Sequence, residues 1–146
     1  MKAIELINNG EIRLKSQKIL TSKLDSELLL SKVLKVKREA VLTNLNDEIS
    51  ENDILKFNNL INRRLKKEPI AYILKEKEFW SKLFEINKST LIPRPETELM
   101  VEELVKIYKG NSINILDIGT GSGCILISLL LELNLAKGLG IDISNK

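Results

Sequence analysis

The sequence of 146 residues has no histidine, one cysteine, three prolines and, for aromatics, one Trp, two Tyr and three Phe. Without histidine, no Ser-His-Asp triad, Cys-His pair or His-ligated metal can be assembled. One cysteine, Cys124, excludes a disulfide within the chain and any cysteine cluster, so no metal site is expected and a reducing, cytoplasmic setting is. The N-terminal residues meet Glu5 before any apolar core of a signal peptide can form. The longest apolar stretch, Cys124 to Leu135, is interrupted by Ser128, Glu132 and Asn134, far short of the roughly 20 residues of a membrane helix. Scarce aromatics leave little for stacking nucleic-acid bases.

What is present suits a soluble globular chain: 43% hydrophobic and 29% charged residues, with a net charge of +3. The charge is uneven. Residues 1–90 hold 18 basic and 13 acidic side chains, residues 91–146 hold 5 and 7. The basic part would suit an acidic partner such as RNA, but a lysine-rich, solvated helical surface accounts for it more simply.

Residues 1–67 read as helices. Ser50 is a good N-cap, Asp53 follows three residues later, and Ile49 and Ile54 are placed for a hydrophobic staple. Ile54, Phe57, Leu60, Ile61 and Leu65 then form an apolar stripe at helical spacing. Arg63, Arg64, Lys66 and Lys67 suit the negative end of that helix, and Glu68-Pro69 stops it. Helices are also expected over Ile4 to Leu20, after Asp25, and around Glu39 to Leu45. Residues 68–95 change character. Short runs at Ile70–Leu74, Glu78–Trp80 and Leu83–Ile86 predict a β-hairpin linker, closed by Pro93 and Pro95. Pro95 would open a further helix capped by Gly110.

Beyond Gly110 comes an apolar run, Ile113 to Ile118, then Gly119-Thr120-Gly121-Ser122-Gly123. A helical run from Cys124 to Leu133 and a second strand, Leu139 to Ile143, follow. Strand, glycine loop, helix and strand make the opening of a Rossmann-type fold. Bare backbone at the loop lets a ligand lie against a helix N-terminus. Asp142, 19 residues after Gly123, stands where a carboxylate accepts hydrogen bonds from ribose hydroxyls. The dinucleotide pattern would need Gly in place of Cys124, and no P-loop Lys-Ser/Thr is present. Asp117 with its three spaced glycines instead resembles the S-adenosylmethionine site of class I methyltransferases.

Four segments sharpen that resemblance: Glu68-Pro69-Ile70-Ala71-Tyr72, Glu78-Phe79-Trp80, Leu91-Ile92-Pro93-Arg94-Pro95-Glu96-Thr97-Glu98 and Ile115-Leu116-Asp117-Ile118-Gly119-Thr120-Gly121-Ser122-Gly123. In this order and spacing they are similar to the release factor glutamine methyltransferases, the HemK/PrmC family. The resemblance implies an α/β chain: a helical bundle for substrate recognition (1–67), a β-hairpin linker (68–95) and the first β-α-β of a Rossmann-like domain (96–146). It implies methyl transfer from S-adenosylmethionine to the Gln amide of the Gly-Gly-Gln motif in class I peptide chain release factors. Gly119, Thr120, Gly121, Ser122 and Gly123 would line the cofactor, and Asp142 would bind its ribose. Asp117 would support the loop or approach the methionine amine. Arg94, Pro95, Glu96 and Thr97 would border the active site, or brace the linker.

The family's Asn-Pro-Pro-Tyr motif is absent, since the only prolines are Pro69, Pro93 and Pro95. Asn145 is the nearest substitute and has no prolines after it. The expectation is an N-terminal piece, inactive by itself, whose two strands leave apolar faces open. The intact enzyme is expected to be monomeric, with a release factor as partner and neither membrane nor direct nucleic-acid binding. Alternatives are a nucleic-acid amino-methyltransferase, or a non-catalytic module that binds release factor or ribosome.

Overall fold

A computed structural model describes residues 1–144; Asn145, the nearest substitute for the missing asparagine, lies outside them. The chain divides into two compact units, Met1–Leu74 and Lys75–Lys146.

The first unit is helical: α1 Ala3–Ser16, α2 Ser22–Leu34, α3 Arg38–Thr43, α4 Glu51–Leu65 and α5 Ile70–Leu74. The starts of α1 and α4 are stitched together, with Ile49 N–H donating to Met1 O and Ala3 N–H to Asp47 O, both at 3.0 Å. At the far end Lys67 Nζ donates to Gln17 O. The two helices therefore run parallel, and α2 returns between their ends. Leu6, Ile7, Leu14, Leu29, Leu30, Phe57 and Ile61 are buried together, the stripe expected on α4 supplying the last two. Gly10 is the point of closest approach. A Cβ there would lie 2.4 Å from Ser26 Oγ and 2.8 Å from Phe57 Cζ. Two carboxylates inside this unit carry cations: Asp25 with Arg64, and Glu27 with Arg38, each at 2.6 Å and each carboxylate side chain almost wholly buried.

The helical part reaches further than expected. Ile70–Leu74 is helix α5, not a strand, so the expected hairpin region 68–95 divides at Leu74. An apolar run of five residues fits either conformation. Pro69 decides locally, because its carbonyl accepts from Tyr72 and Ile73 N–H at 3.0 and 3.3 Å, and Ile73 and Leu74 bury in the helical core.

In the second unit, β1 Glu76–Phe79 and β2 Lys82–Glu85 form the expected antiparallel hairpin. Phe79 and Phe84 meet edge to face with ring centroids 6.4 Å apart. Helix α6 spans Thr97–Tyr108, starting two residues after Pro95, which with Glu96 forms a turn leading into it. Then come β3 Asn114–Ile118, α7 Cys124–Glu132 and β4 Lys137–Ile141, with β3 and β4 parallel and Leu116 opposite Leu139. β4 thus begins two residues before the expected Leu139 and leaves Asp142 just beyond its end.

The sheet's two faces differ. Leu116, Ile118, Leu139 and Ile141 are exposed on one, Ile118 by 75%. On the other, β4 lies tight under α7. A Cβ at Gly138 would fall 2.6 Å from Leu126 Cδ1, and one at Gly140 would fall 2.9 Å from Thr120 Oγ1. Two glycines one residue apart let the helix sit close.

Candidate functional site

The carboxyl ends of parallel strands, where a ligand of an open α/β sheet lies, carry the glycine loop here. At its base, Gly119 and Thr120 N–H both donate to Ile141 O, at 2.8 and 3.0 Å, so the loop springs from β3 already tied to β4. Gly123 N–H donates to Thr120 O at 2.8 Å and turns the chain into α7. Gly119 and Gly121 take φ of +78° and +56°, a region costly to side-chain-bearing residues. Around Gly119 a Cβ would meet nothing within 4 Å, so the backbone there faces open space.

Side chains complete the arrangement. Thr120 Oγ1 donates to Asp117 Oδ2 at 2.8 Å, so Asp117 supports the loop. Asp142 Oδ2 accepts from Gly121 N–H at 2.8 Å, and its Oδ1 accepts from Ser144 N–H at 2.9 Å. These amides, Ser144 first and Gly121 second, hold the Asp142 carboxyl below the usual carboxylate range. The result is an exposed, ionised acceptor fixed beside bare backbone. Such a group suits the hydroxyls of a ribose, and the open backbone at Gly119 suits close approach of a ligand chain.

Asp117 with Thr120, and Gly121 with Asp142, thus form two hydrogen-bonded pairs that meet at adjacent loop residues. Gly123 is the N-cap of α7, and Ser122 is half-buried between the last two loop glycines. Arg94, Pro95 and Glu96 are exposed and Thr97 half-buried; Thr97 N–H donates to Arg94 O at 3.0 Å, closing a turn before α6.

Three neighbours were not anticipated. A Cβ at Gly121 would come within 3.8 Å of Thr90 Cγ2, placing Thr90 against the loop crest. Trp80 N–H donates to Glu98 Oε1 at 2.9 Å, and its Nε1 donates to Glu132 Oε1 at 2.8 Å, so the hairpin turn is held by both α6 and α7. The only sequence signal for these contacts was the clustering of aromatics near residue 80. Among the described residues no group of His, Cys, Asp and Glu is placed to hold a metal ion, and no helix is long and apolar enough to cross a membrane.

Comparison with known proteins gives matches along most of the chain. The profile of the PrmC N-terminal domain matches residues 5–74, coinciding with the helical unit. A release factor glutamine methyltransferase of Caulobacter vibrioides is 39% identical over 92% of the chain and 47% of its own length. One from Buchnera aphidicola subsp. Acyrthosiphon pisum is 48% identical over 73% of the chain and 39% of its own length. A bifunctional methyltransferase of Rickettsia typhi is 38% identical over 96% of the chain and 31% of its own length. The chain spans about half the length, or less, of these curated relatives. On these matches it belongs to the release factor glutamine methyltransferase family, with the PrmC N-terminal domain at residues 5–74.

Proposed function

We propose that this chain contributes the cofactor-holding end and a substrate-docking domain to methylation of the glutamine side-chain amide in the Gly-Gly-Gln motif of a peptide chain release factor. The carrying observation is the meeting of Asp142 and Gly121 at 2.8 Å, which puts acid and glycine loop in register at the ends of β3 and β4. The cofactor that fits is S-adenosylmethionine, which supplies a methyl group on a sulfonium. Asp142 accepts the ribose hydroxyls; Gly119 to Gly123 offer backbone against the methionine part; Asp117 keeps Thr120 and the loop in place. Arg94 to Thr97 border the target's approach. The helical unit serves as the docking domain, the hairpin as linker, and the β3-α7-β4 unit as the cofactor-binding part. Release factor is the partner, and cytoplasm the setting that suits both partner and a lone cysteine.

No Asn-Pro-Pro-Tyr stands in these 146 residues, so no residue of that motif is available to hold the target amide. We therefore expect the chain to transfer no methyl by itself. Calorimetry with S-adenosylmethionine tests the reading: binding by the chain, weakened by Asp142→Ala by about 1.5–3 kcal/mol through lost charge-assisted hydrogen bonds, supports it. Unchanged affinity removes Asp142 from the site, and no binding by the unaltered chain removes the cofactor. Capture of rRNA in place of release factor would favour the nucleic-acid reading.

A further inference from the structure

Asp142 is exposed, yet both its carboxylate oxygens are engaged. The donors differ in kind, Ile143 and Ser144 following directly in sequence and Gly121 not. Ser144 is two residues away, a local turn of the sort aspartates make with following amides. Gly121 is 21 residues away, in the middle of the glycine loop. Three successive loop amides therefore converge on the end of β4: Gly119 and Thr120 on the Ile141 carbonyl, Gly121 on the Asp142 carboxylate. The base of the loop is held by backbone, which a ligand has no group to replace. The crest is held by a charged side chain, which a ligand can engage.

We propose that Asp142 is a latch. Its bond to Gly121 keeps the loop crest down on β4, and a ligand bearing vicinal hydroxyls takes over the carboxylate and frees the crest. The second half rests on the reading of Asp142 as a hydroxyl acceptor; loop closure by Asp142 does not. A carboxylate oxygen has room for two donors, so hydroxyls can reach Oδ2 before Gly121 leaves, and the charge is never without a partner. Gly121, at φ +56° with only the Thr90 methyl nearby, has the conformational freedom to move.

Amide hydrogen exchange followed by NMR on the whole chain tests this, with adenosine as probe and 2′,3′-dideoxyadenosine as the control that lacks the vicinal hydroxyls. Asp142→Ala is expected to speed exchange at Gly121 about tenfold or more, while Gly119 and Thr120, bonded to Ile141 O, change by less than about threefold. Asp142→Asn keeps the size and one neutral acceptor, so its Gly121 rate should fall between the two. In the unaltered chain, saturating adenosine should speed Gly121 exchange and the dideoxy compound should not. Gly121 rates unchanged in both variants, with Leu29 and Ile61 still protected as folding controls, overturn the latch. Adenosine that binds and slows Gly121 further overturns the release step. If neither nucleoside binds while Gly121 protection still depends on Asp142, the cofactor reading fails and the loop-closing latch stands.

Discussion

Arg64 Nε donates to Asp25 Oδ2 at 2.6 Å, joining α4 to α2 inside the helical unit with the carboxylate side chain 2% exposed. Arg64 also donates from Nη1 to Glu68 O at 3.0 Å, so one guanidinium fastens two helices and the turn after α4. Desolvating the pair costs free energy that only the complete pair recovers. Asp25→Ala should therefore lower unfolding stability by about 2–4 kcal/mol, because it leaves a half-buried cation without its carboxylate. Asp25→Leu with Arg64→Met should recover most of that loss. Urea unfolding followed by circular dichroism gives both values; equal losses in single and double variants would refute the coupling.

Gly10 inverts the usual helix rule. In an open helix Gly→Ala adds about 1 kcal/mol of stability. Here the added methyl would press on Ser26 Oγ at 2.4 Å and the Phe57 ring at 2.8 Å. Ser26 cannot easily yield, since its hydroxyl donates to Ile7 O at 2.8 Å. Gly10→Ala should lower stability by about 1–3 kcal/mol by overpacking. A rise in the thermal midpoint would show that the three helices part without strain.

The Ser50 cap is the clearest local device. Asp53 N–H donates to Ser50 Oγ at 3.2 Å, Ser50 Oγ donates to Asp53 Oδ2 at 2.8 Å, and Lys56 Nζ donates to Asp53 Oδ1 at 2.8 Å. Lys56 first and Ser50 second hold the Asp53 carboxyl below its ordinary value. A carboxyl depressed on folding stabilises fully above its unfolded value, near ~3.9, and loses that contribution as pH falls through the folded value. Ser50→Ala should cost about 1 kcal/mol at neutral pH and move the Asp53 titration upward, read by NMR. A titration unmoved by the substitution would mean that Lys56 alone sets it.

These devices differ in how far they could be read from the residues alone. Ser50, the α4 stripe, the hairpin around residue 80 and the strand–loop–helix–strand run from Asn114 to Ile141 are legible because each is set by neighbours within a few positions. Contacts across long separations are not. The basic run at the end of α4 suggests compensation of a helix dipole, and the fold uses it for specific partners: Arg63 on Glu68, Arg64 on Asp25, Lys67 on Gln17. Gly10, Gly138 and Gly140 carry no local turn signal, since their reason is the nearness of another helix or side chain. Ile70–Leu74 failed for want of length, five apolar residues being too few to show a period. At the candidate site, Asp117, Gly121 and Asp142 stand out in the sequence by residue type and spacing, whereas the bond that joins Gly121 to Asp142 belongs to the fold.

The hairpin turn offers a last test, of strain against anchorage. Trp80 and Ser81 both occupy the left-handed region, at φ +49° and +56°, where a two-residue hairpin turn favours Asn or Gly. Each such residue costs about 1–2 kcal/mol. Ser81→Gly relieves that strain against about 0.4–1 kcal/mol of added unfolded-chain entropy, so a gain of up to about 1 kcal/mol is expected. Trp80→Gly relieves the same strain and should nevertheless destabilise, because the indole packs on the Phe79, Val101 and Leu129 cluster and bonds Glu132. Trp80→Phe keeps a smaller aromatic ring and removes the Nε1 bond, and should cost about 0.5–1.5 kcal/mol. The order Ser81→Gly above the unaltered chain, then Trp80→Phe, then Trp80→Gly, read from thermal midpoints, is what anchorage requires. Glu98 lies one residue beyond the Arg94–Thr97 segment and Glu132 closes the helix that begins at the glycine loop, so Trp80 links the two helices that frame the candidate site. A Trp80→Gly chain as stable as Ser81→Gly would mean that the turn is strained without holding either helix.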